Sequence, residues 1–263
     1  MNIFIAGDST AAPKLANKRP ETGWGERLGC YVAEGVGVSN HAHNGESTKT
    51  FFATGRADAL FEQVGAGDVV LIQFGHNDEH DKPHQHTEAN GDFKTNLTRL
   101  VGLTREHGAL PVLMTPIARR AFGEDGSPRD THGAYAEATR VLAAELGVAL
   151  VDMARATEAL LAELGEQGSQ VLFDHLEPGE HPNYPEGVDD HTHLCPHGAY
   201  VVAGLAARGL AALGLPELDG ALVADDPAPE PEPERGDGAF PVDQRRFEFR
   251  RADERAAEEA CFF

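Results

Sequence analysis

Four short polar blocks carry residue types that together can perform acyl transfer. Gly7-Asp8-Ser9-Thr10 lies near the start, His43-Asn44-Gly45-Glu46-Ser47 and Gly75-His76-Asn77-Asp78 follow, and Asp190-His191-Thr192-His193 stands far downstream. A serine hydroxyl becomes a useful nucleophile when a base within hydrogen-bond reach takes its proton and a carboxylate fixes that base's tautomer. Ser9 supplies the hydroxyl, and an Asp with a His three residues on supplies both other groups from one segment. Backbone N–H groups after a strand, a glycine that admits a close backbone approach, and a side-chain amide such as Asn77 are donors that a tetrahedral oxyanion needs. Taken singly, each block has a plainer reading: a turn with a capping serine, a loop glycine, a turn whose Asn and Asp bond their own backbone, or a solvated polar loop. His191 and His193 both flank Thr192, and local geometry alone does not choose between them as the base. No His-x-x-x-His or Cys-His ligand spacing sits on a helical stretch, which argues against a metal centre.

These blocks need elements to position them. Short apolar, β-branched runs at Asn2–Ala6, Val36–Ser39, Val69–Phe74, Leu110–Met114 and Val148–Asp152 predict five strands. Between Asp92 and His107, Phe93, Leu97, Leu100, Val101 and Leu103 recur mostly at spacings of three and four, one face of a helix. Tyr135–Leu146 and Ala154–Leu164 read the same way, and a last helical run opens near His197. Strands apolar throughout, such as Val69-Val70-Leu71-Ile72, suit a parallel sheet covered on both faces. The alternation predicts an α/β fold: a three-layer α/β/α sandwich around a five-stranded parallel sheet, flavodoxin-like, with right-handed crossovers. Ligands in such a sheet sit outside the carboxyl ends of the strands, where the first three blocks fall. Ser9 is expected at the start of a turn or helix, and Asp190–His193 on a loop entering the last helix.

The chain has 263 residues, with 43 Asp and Glu against 22 Lys and Arg for a formal net charge of −21. That balance disfavours nucleic acid as a partner, because its affinity comes mainly from Lys and Arg contacts to phosphate. Lysine occurs only at positions 14, 18, 49, 82 and 94, and an acid-rich, lysine-poor surface suits a salt-rich setting. Asp225–Gly238 is a tract of proline and acid that reads as an extended linker, so we expect a domain over residues 1–214 and an appended linker and tail over 215–263. The end of that tail, Arg245–Phe263, reads as loosely docked. Asn2–Ala6 has no basic run before it and no cleavage site after it, so it reads as a strand rather than a secretory signal. No apolar stretch approaches the ~18 residues of a membrane span. Cys30, Cys195 and Cys261 fit neither a disulfide framework nor a zinc pattern, and a cytoplasmic protein is expected.

In order, Gly-Asp-Ser, a loop Gly, Gly-x-Asn-Asp after a buried strand and Asp-x-x-His near the domain end resemble the SGNH (GDSL) hydrolases. Gly23-Trp24-Gly25, Ile72-Gln73-Phe74-Gly75-His76-Asn77-Asp78, Thr115-Pro116-Ile117-Ala118-Arg119-Arg120, Asp130-Thr131-His132-Gly133 and Leu176-Glu177-Pro178-Gly179 leading to Asn183-Tyr184-Pro185 extend the likeness. Over residues 1 to about 214 the chain resembles bacterial rhamnogalacturonan acetylesterases, a group of carbohydrate esterases. The resemblance implies Ser9 as nucleophile, His193 as base and Asp190 as its orienting partner. It implies an oxyanion hole from the Ser9 and Gly45 backbone N–H groups and the Asn77 side chain. Asp8 and Asp78 would support the loops, and His76 would contact substrate or pack beneath them. No cofactor or metal is implied, and the partner would be an acetylated oligosaccharide rather than a nucleic acid or a membrane. Arg119 and Arg120 are candidates to offset the charge of an anionic sugar. Cys195 departs from the resemblance, standing where a small hydroxyl residue is usual.

Two other readings compete. A lipolytic esterase or thioesterase would share the serine chemistry but need an apolar groove, whereas His76–Thr87 and His175–His193 are crowded with polar residues. A non-catalytic flavodoxin-like binding module would want an anion cradle after the first strand, and Gly7-Asp8-Ser9 places a carboxylate there.

Overall fold

The computed structural model describes residues 1–225 and 227–230. In chain order its elements are β1 (Asn2–Gly7), α1 (Trp24–Arg27), β2 (Gly37–Asn40), α2 (Thr48–Ala53), α3 (Arg56–Phe61), β3 (Val69–Gln73), α4 (Lys94–Glu106), β4 (Leu110–Met114), α5 (Gly133–Leu146), β5 (Ala149–Val151), α6 (Met153–Gly168), β6 (Phe173–Leu176), β7 (Val188–Leu194) and α7 (Pro196–Ala212). The first five strands form one parallel sheet in the order β2-β1-β3-β4-β5. Ile5 stands opposite Leu71 and Leu71 opposite Val112, so apolar side chains share rungs across the middle of the sheet.

Because successive strand residues point to opposite faces, the sheet feeds two cores. Ile3, Ile5, Val69, Leu71, Val112 and Met114 pack with Trp24, Leu161 and Leu210, which places α1, α6 and α7 on one face. Phe4, Ala6, Val70, Ile72 and Leu113 pack with Phe51, Leu60, Leu97 and Leu142, which places α2 to α5 on the other. Burial of both faces is why the central strands read as unbroken apolar runs. The expected three-layer sandwich with its five-stranded parallel sheet is the fold found.

Two expectations are corrected. The Asp190–His193 block is not a loop: it lies in β7, which pairs antiparallel with β6 as a separate two-stranded sheet directly before α7. Its polar sequence shows no apolar alternation, so nothing in the pattern marks a strand. The packed unit also does not stop at residue 214. Leu218 and Ala221 are buried, Leu222 bridges Val32, and the Ala228 N–H reaches the Cys30 carbonyl at 2.8 Å. These apolar residues carry the chain back over the start of the domain up to and into the acidic tract. The rest of that tract and Arg245–Phe263 lie outside the described residues.

Candidate active site

At the carboxyl end of β1 the chain turns at once. The N–H groups of Ala11 and Ala12 donate to the Asp8 carbonyl at 3.2 and 3.1 Å, and Asp8 Oδ1 accepts from the Thr10 N–H and hydroxyl at 2.9 and 2.7 Å. Ser9 therefore sits in a tight turn, not at a helix N-terminus. The Trp24 N–H donates to the Thr10 carbonyl at 2.9 Å, and this closeness needs glycine beside it: a Cβ on Gly23 would lie 2.2 Å from the Ala12 carbonyl oxygen. The Gly-Trp-Gly motif is thus a packing device that holds the Ser9 turn.

The β6–β7 pairing delivers the histidine. Phe173 stands opposite Leu194 and His175 opposite Asp189, so Asp174 alone faces the four residues 190–193. This bulge re-aims side chains that a regular strand would alternate. Asp190 Oδ1 accepts the N–H groups of Thr192 and His193 at 2.6 and 2.8 Å, which folds the backbone over and brings residue i+3 back to residue i. Asp190 Oδ2 then meets His193 Nδ1 at 2.7 Å, and His193 Nε2 meets Ser9 Oγ at 3.0 Å. Burial pushes the Asp190 carboxyl up, but the hydrogen bond and charge of His193 and the two backbone donors outweigh it and hold the group at about 2. His193 is itself raised: burial works against its charged form, while Asp190 and Glu21 favour it. His191 turns elsewhere, with Nδ1 accepting from Arg120 at 2.9 Å and Nε2 3.4 Å from Asp189.

The oxyanion candidates come from two further loops. Gly45 adopts φ +79°, a left-handed conformation that glycine enters without strain. Neither its N–H nor that of Ser9 has an acceptor among the described residues. Asn77 donates one amide hydrogen to the Glu46 carbonyl at 2.9 Å, which orients the amide and leaves its second hydrogen over. Asp78, fully buried, accepts from the Thr48 hydroxyl and N–H and from the Thr87 hydroxyl, locking the Gly45 and Asn77 loops together. Burial raises its carboxyl to about 6 in spite of those donors.

Behind these lies a chain of buried groups. His76 Nδ1 meets Asp8 Oδ2 at 3.2 Å, and the His76 ring packs edge-on to His132 with centroids 4.3 Å apart. Burial holds His76 down to about 4 against the pull of Asp8, so at neutral pH it is an uncharged donor to the Asp8 carboxylate. His76 is therefore a buried support of the Asp8–Ser9 turn. Arg119 pairs with Glu79 and donates to the His76 carbonyl at 3.4 Å, so its charge is matched inside the protein. Arg120 is spent on His191 and, at 2.5 Å, on the Glu166 carbonyl. Arg119 thus serves the scaffold, while Arg120, bonded to a ring nitrogen and a carbonyl at the surface, keeps its charge.

Sequence reasoning missed three residues. Lys14 and Glu21 form a buried ion pair at 2.6 Å beside Ser9 and His193, and Asp174 is buried opposite the bulge. Burial, with the charges of Glu21 and Asp190, pushes the Asp174 carboxyl up to about 7. None of the three belongs to a spaced motif, and only the fold brings them together. His175, Asp189 and His191 also cluster, with His175 Nδ1 2.5 Å from Asp189. Ligands about 2.1 Å from one tetrahedral ion stand ~3.4 Å apart, so this spacing is that of a hydrogen bond. Cys195 replaces the hydroxyl residue at no structural loss: its Sγ accepts the Gly198 N–H at 3.4 Å as the N-cap of α7 and donates to the Val171 carbonyl at 3.0 Å.

A parallel α/β/α sheet that presents a hydrogen-bonded serine, histidine and aspartate beside its carboxyl edge defines a carboxylic ester hydrolase. Within that class the chain belongs to the GDSL-like Lipase/Acylhydrolase family, whose pattern matches residues 5–200. It is 42% identical over 219 residues, 83% of this chain and 93% of the other, to the rhamnogalacturonan acetylesterase RhgT of Bacillus subtilis. It is 35% identical over 216 residues, 82% and 94% of the two chains, to the probable rhamnogalacturonan acetylesterase YesY of the same organism. Among solved structures, protein YxiM of Bacillus subtilis matches with a TM-score of 0.70 at 25% identity, over 82% of this chain and 57% of that one. The present chain thus spans little more than half of YxiM. An acetylxylan esterase of Geobacillus stearothermophilus shares the fold with a TM-score of 0.55 at 20% identity, over 82% and 95% of the two chains. Among the described residues no helix is long and apolar enough to cross a membrane.

Proposed function

We propose that the protein removes O-acetyl groups from a carbohydrate, pectic rhamnogalacturonan oligosaccharides first among them, by acyl transfer through Ser9, His193 and Asp190. The observation that carries this reading is the 42% identity to a rhamnogalacturonan acetylesterase across 83% of the chain. The 3.0 Å and 2.7 Å contacts that join Ser9, His193 and Asp190 support it chemically.

His193 Nε2 takes the Ser9 proton as Oγ attacks the acetyl carbonyl carbon. The resulting oxyanion is received by the Ser9 and Gly45 N–H groups and the Asn77 amide, each donor worth a factor of about 10²–10³ in rate. As the tetrahedral centre collapses, the proton passes from His193 to the departing sugar oxygen. Water then attacks the acetyl-serine with His193 again as base, and acetate leaves. Asp190 holds the imidazole in the tautomer that leaves Nε2 free to accept. None of these steps needs a cofactor.

The segments beside the site, His76–Thr87 and His175–His193, are crowded with polar residues, which favours a polar substrate over a long acyl chain. We read the active unit as extending past residue 214 to include the packed residues Leu218, Ala221 and Leu222, and the compartment as reducing cytoplasm. The test is acetate release from acetylated rhamnogalacturonan, acetylated xylan and simple sugar acetates, with Ser9→Ala as control. Preferential release from rhamnogalacturonan with a folded, inactive Ser9→Ala protein is expected. Octanoyl esters hydrolysed faster than acetyl esters would favour the lipolytic reading, and unchanged activity of Ser9→Ala would overturn the mechanism.

A further inference from the structure

Lys14 stands five residues past Ser9, and its side chain has no solvent exposure. An ammonium has three hydrogens to place, and burial without partners would drive it neutral. Here all three find oxygen: the Ser9 carbonyl at 2.5 Å, Asn44 Oδ1 at 2.7 Å and Glu21 Oε1 at 2.6 Å. Asn44 immediately precedes Gly45, so one cation fastens together the two loops whose backbone N–H groups are proposed above to receive the oxyanion. The same Glu21 oxygen lies 3.8 Å from His193 Nε2, the ring nitrogen that meets Ser9 Oγ. His193 is thus held between two carboxylates, Asp190 at Nδ1 and Glu21 near Nε2.

The two charges act on His193 in opposite senses. Glu21 favours the imidazolium that forms when His193 takes the Ser9 proton. Left unpaired, the same carboxylate would repel the oxyanion developing nearby, and Lys14 offsets it from the far side. We propose that Lys14 and Glu21 are positioning residues for the acyl transfer, Lys14 by clamping the Ser9 and Gly45 loops and Glu21 by favouring protonation of His193. This rests on the serine mechanism given above. The charged groups that face His193 are Asp190 on β7, Asp174 on β6, and Lys14 and Glu21 from the segment after β1. The raised affinity of His193 for its proton is in keeping with this arrangement, with Glu21 among the groups that raise it and Lys14 lowering it.

The test is the pH dependence of kcat/KM on p-nitrophenyl acetate for Glu21→Gln, Lys14→Met and the double variant. Glu21→Gln keeps shape and hydrogen-bonding capacity but removes the charge, so the acid limb is expected to move to lower pH by roughly half to one unit. Lys14→Met removes the opposing cation and is expected to move that limb to higher pH, with kcat falling about tenfold or more and KM changing less. A merely structural pair would lower activity without displacing the limb, and would not displace it in two directions. Should Lys14→Met fail to fold, Glu21→Gln decides alone, and the double variant, which buries no unpaired charge, reports the clamp. An unmoved limb in Glu21→Gln, or shifts of the same sign in both single variants, overturns the proposal. Ser9→Ala run alongside separates the two readings. Turnover by Ser9→Ala sinks the serine mechanism itself, whereas an inactive Ser9→Ala with an unmoved Glu21→Gln limb sinks only the role of the ion pair.

Discussion

His76 Nδ1 lies 3.2 Å from Asp8 Oδ2, and this contact joins the residue before Ser9 to the residue before Asn77. Nucleophile turn and amide donor are therefore positioned by one buried bond. Asp8 accepts from three donors, the Thr10 N–H, the Thr10 hydroxyl and His76 Nδ1. Asp8→Asn would keep Oδ1 for the two Thr10 donors but turn an NH₂ toward His76 Nδ1, a mismatch that costs about 1–3 kcal/mol. A fall in Tm of roughly 5–10 °C, with kcat reduced more than KM, is expected from thermal melting and steady-state kinetics.

The same pair sets an acid limit to stability. His76 in the folded protein is held at about 4, below its ordinary 6.5, so the unfolded chain binds the extra proton first and stability falls as pH drops from about 6.5 to 4. Asp8, held at about 2 against an ordinary 3.8, adds a further loss between about pH 4 and 2, burial being outweighed by His76 and Thr10. Measured as the difference from a His76→Gln variant, in which the opposing titrations of Asp174 and Asp78 cancel, the denaturant midpoint of the parent protein should decline through the first window. A difference that stays flat between pH 6.5 and 4.5 would contradict the burial of a neutral His76.

Asp174 works in the opposite direction. Its carboxyl is pushed up from 3.8 to about 7 by burial and by the nearby Glu21 and Asp190, so the folded state keeps a proton that the unfolded chain gives up. Stability associated with this group falls as pH rises from about 4 to 7. Asp174→Asn removes the burden, and a gain on the order of 1–3 kcal/mol at pH 8, shrinking toward pH 4, is expected from unfolding curves.

Asn77→Ala deletes the spare amide hydrogen proposed to receive the oxyanion, along with the bond to the Glu46 carbonyl at 2.9 Å. The expected result is a fall in kcat of about 10²–10³ with little change in KM, the signature of a group that acts on the transition state. Equal losses in kcat/KM carried by KM alone would assign Asn77 to substrate binding instead.

The net charge of −21 bears on the substrate as well as on partners. Arg119 is already matched by Glu79, so relief of the repulsion of an anionic oligosaccharide falls to Arg120 and to salt. With the Debye length near 3 Å at 1 M, activity on acidic oligosaccharides should rise with added salt while that on neutral acetates stays level. Parallel salt responses for both substrates would disconnect the charge from the activity.

The layered fold was legible in the sequence because burial on both faces writes itself as unbroken apolar strands, and amphipathic helices as spacings of three and four. The position of Ser9, Gly45 and Asn77 at the carboxyl edge of the sheet was legible for a related reason: each follows a recognisable strand. The sequence by itself also determined that Asp190 and His193 lie close along the chain. Local geometry left His191 and His193 equal and only the family resemblance favoured His193; the tertiary structure supplies the physical reason. Four residues opposite Asp174 form a bulge whose geometry depends on pairing with β6, and no local pattern reports it. Lys14, Glu21 and Asp174 escaped the sequence for the same physical reason. Their charges matter through burial and mutual distance, and those exist only once segments far apart in the chain have closed around His193.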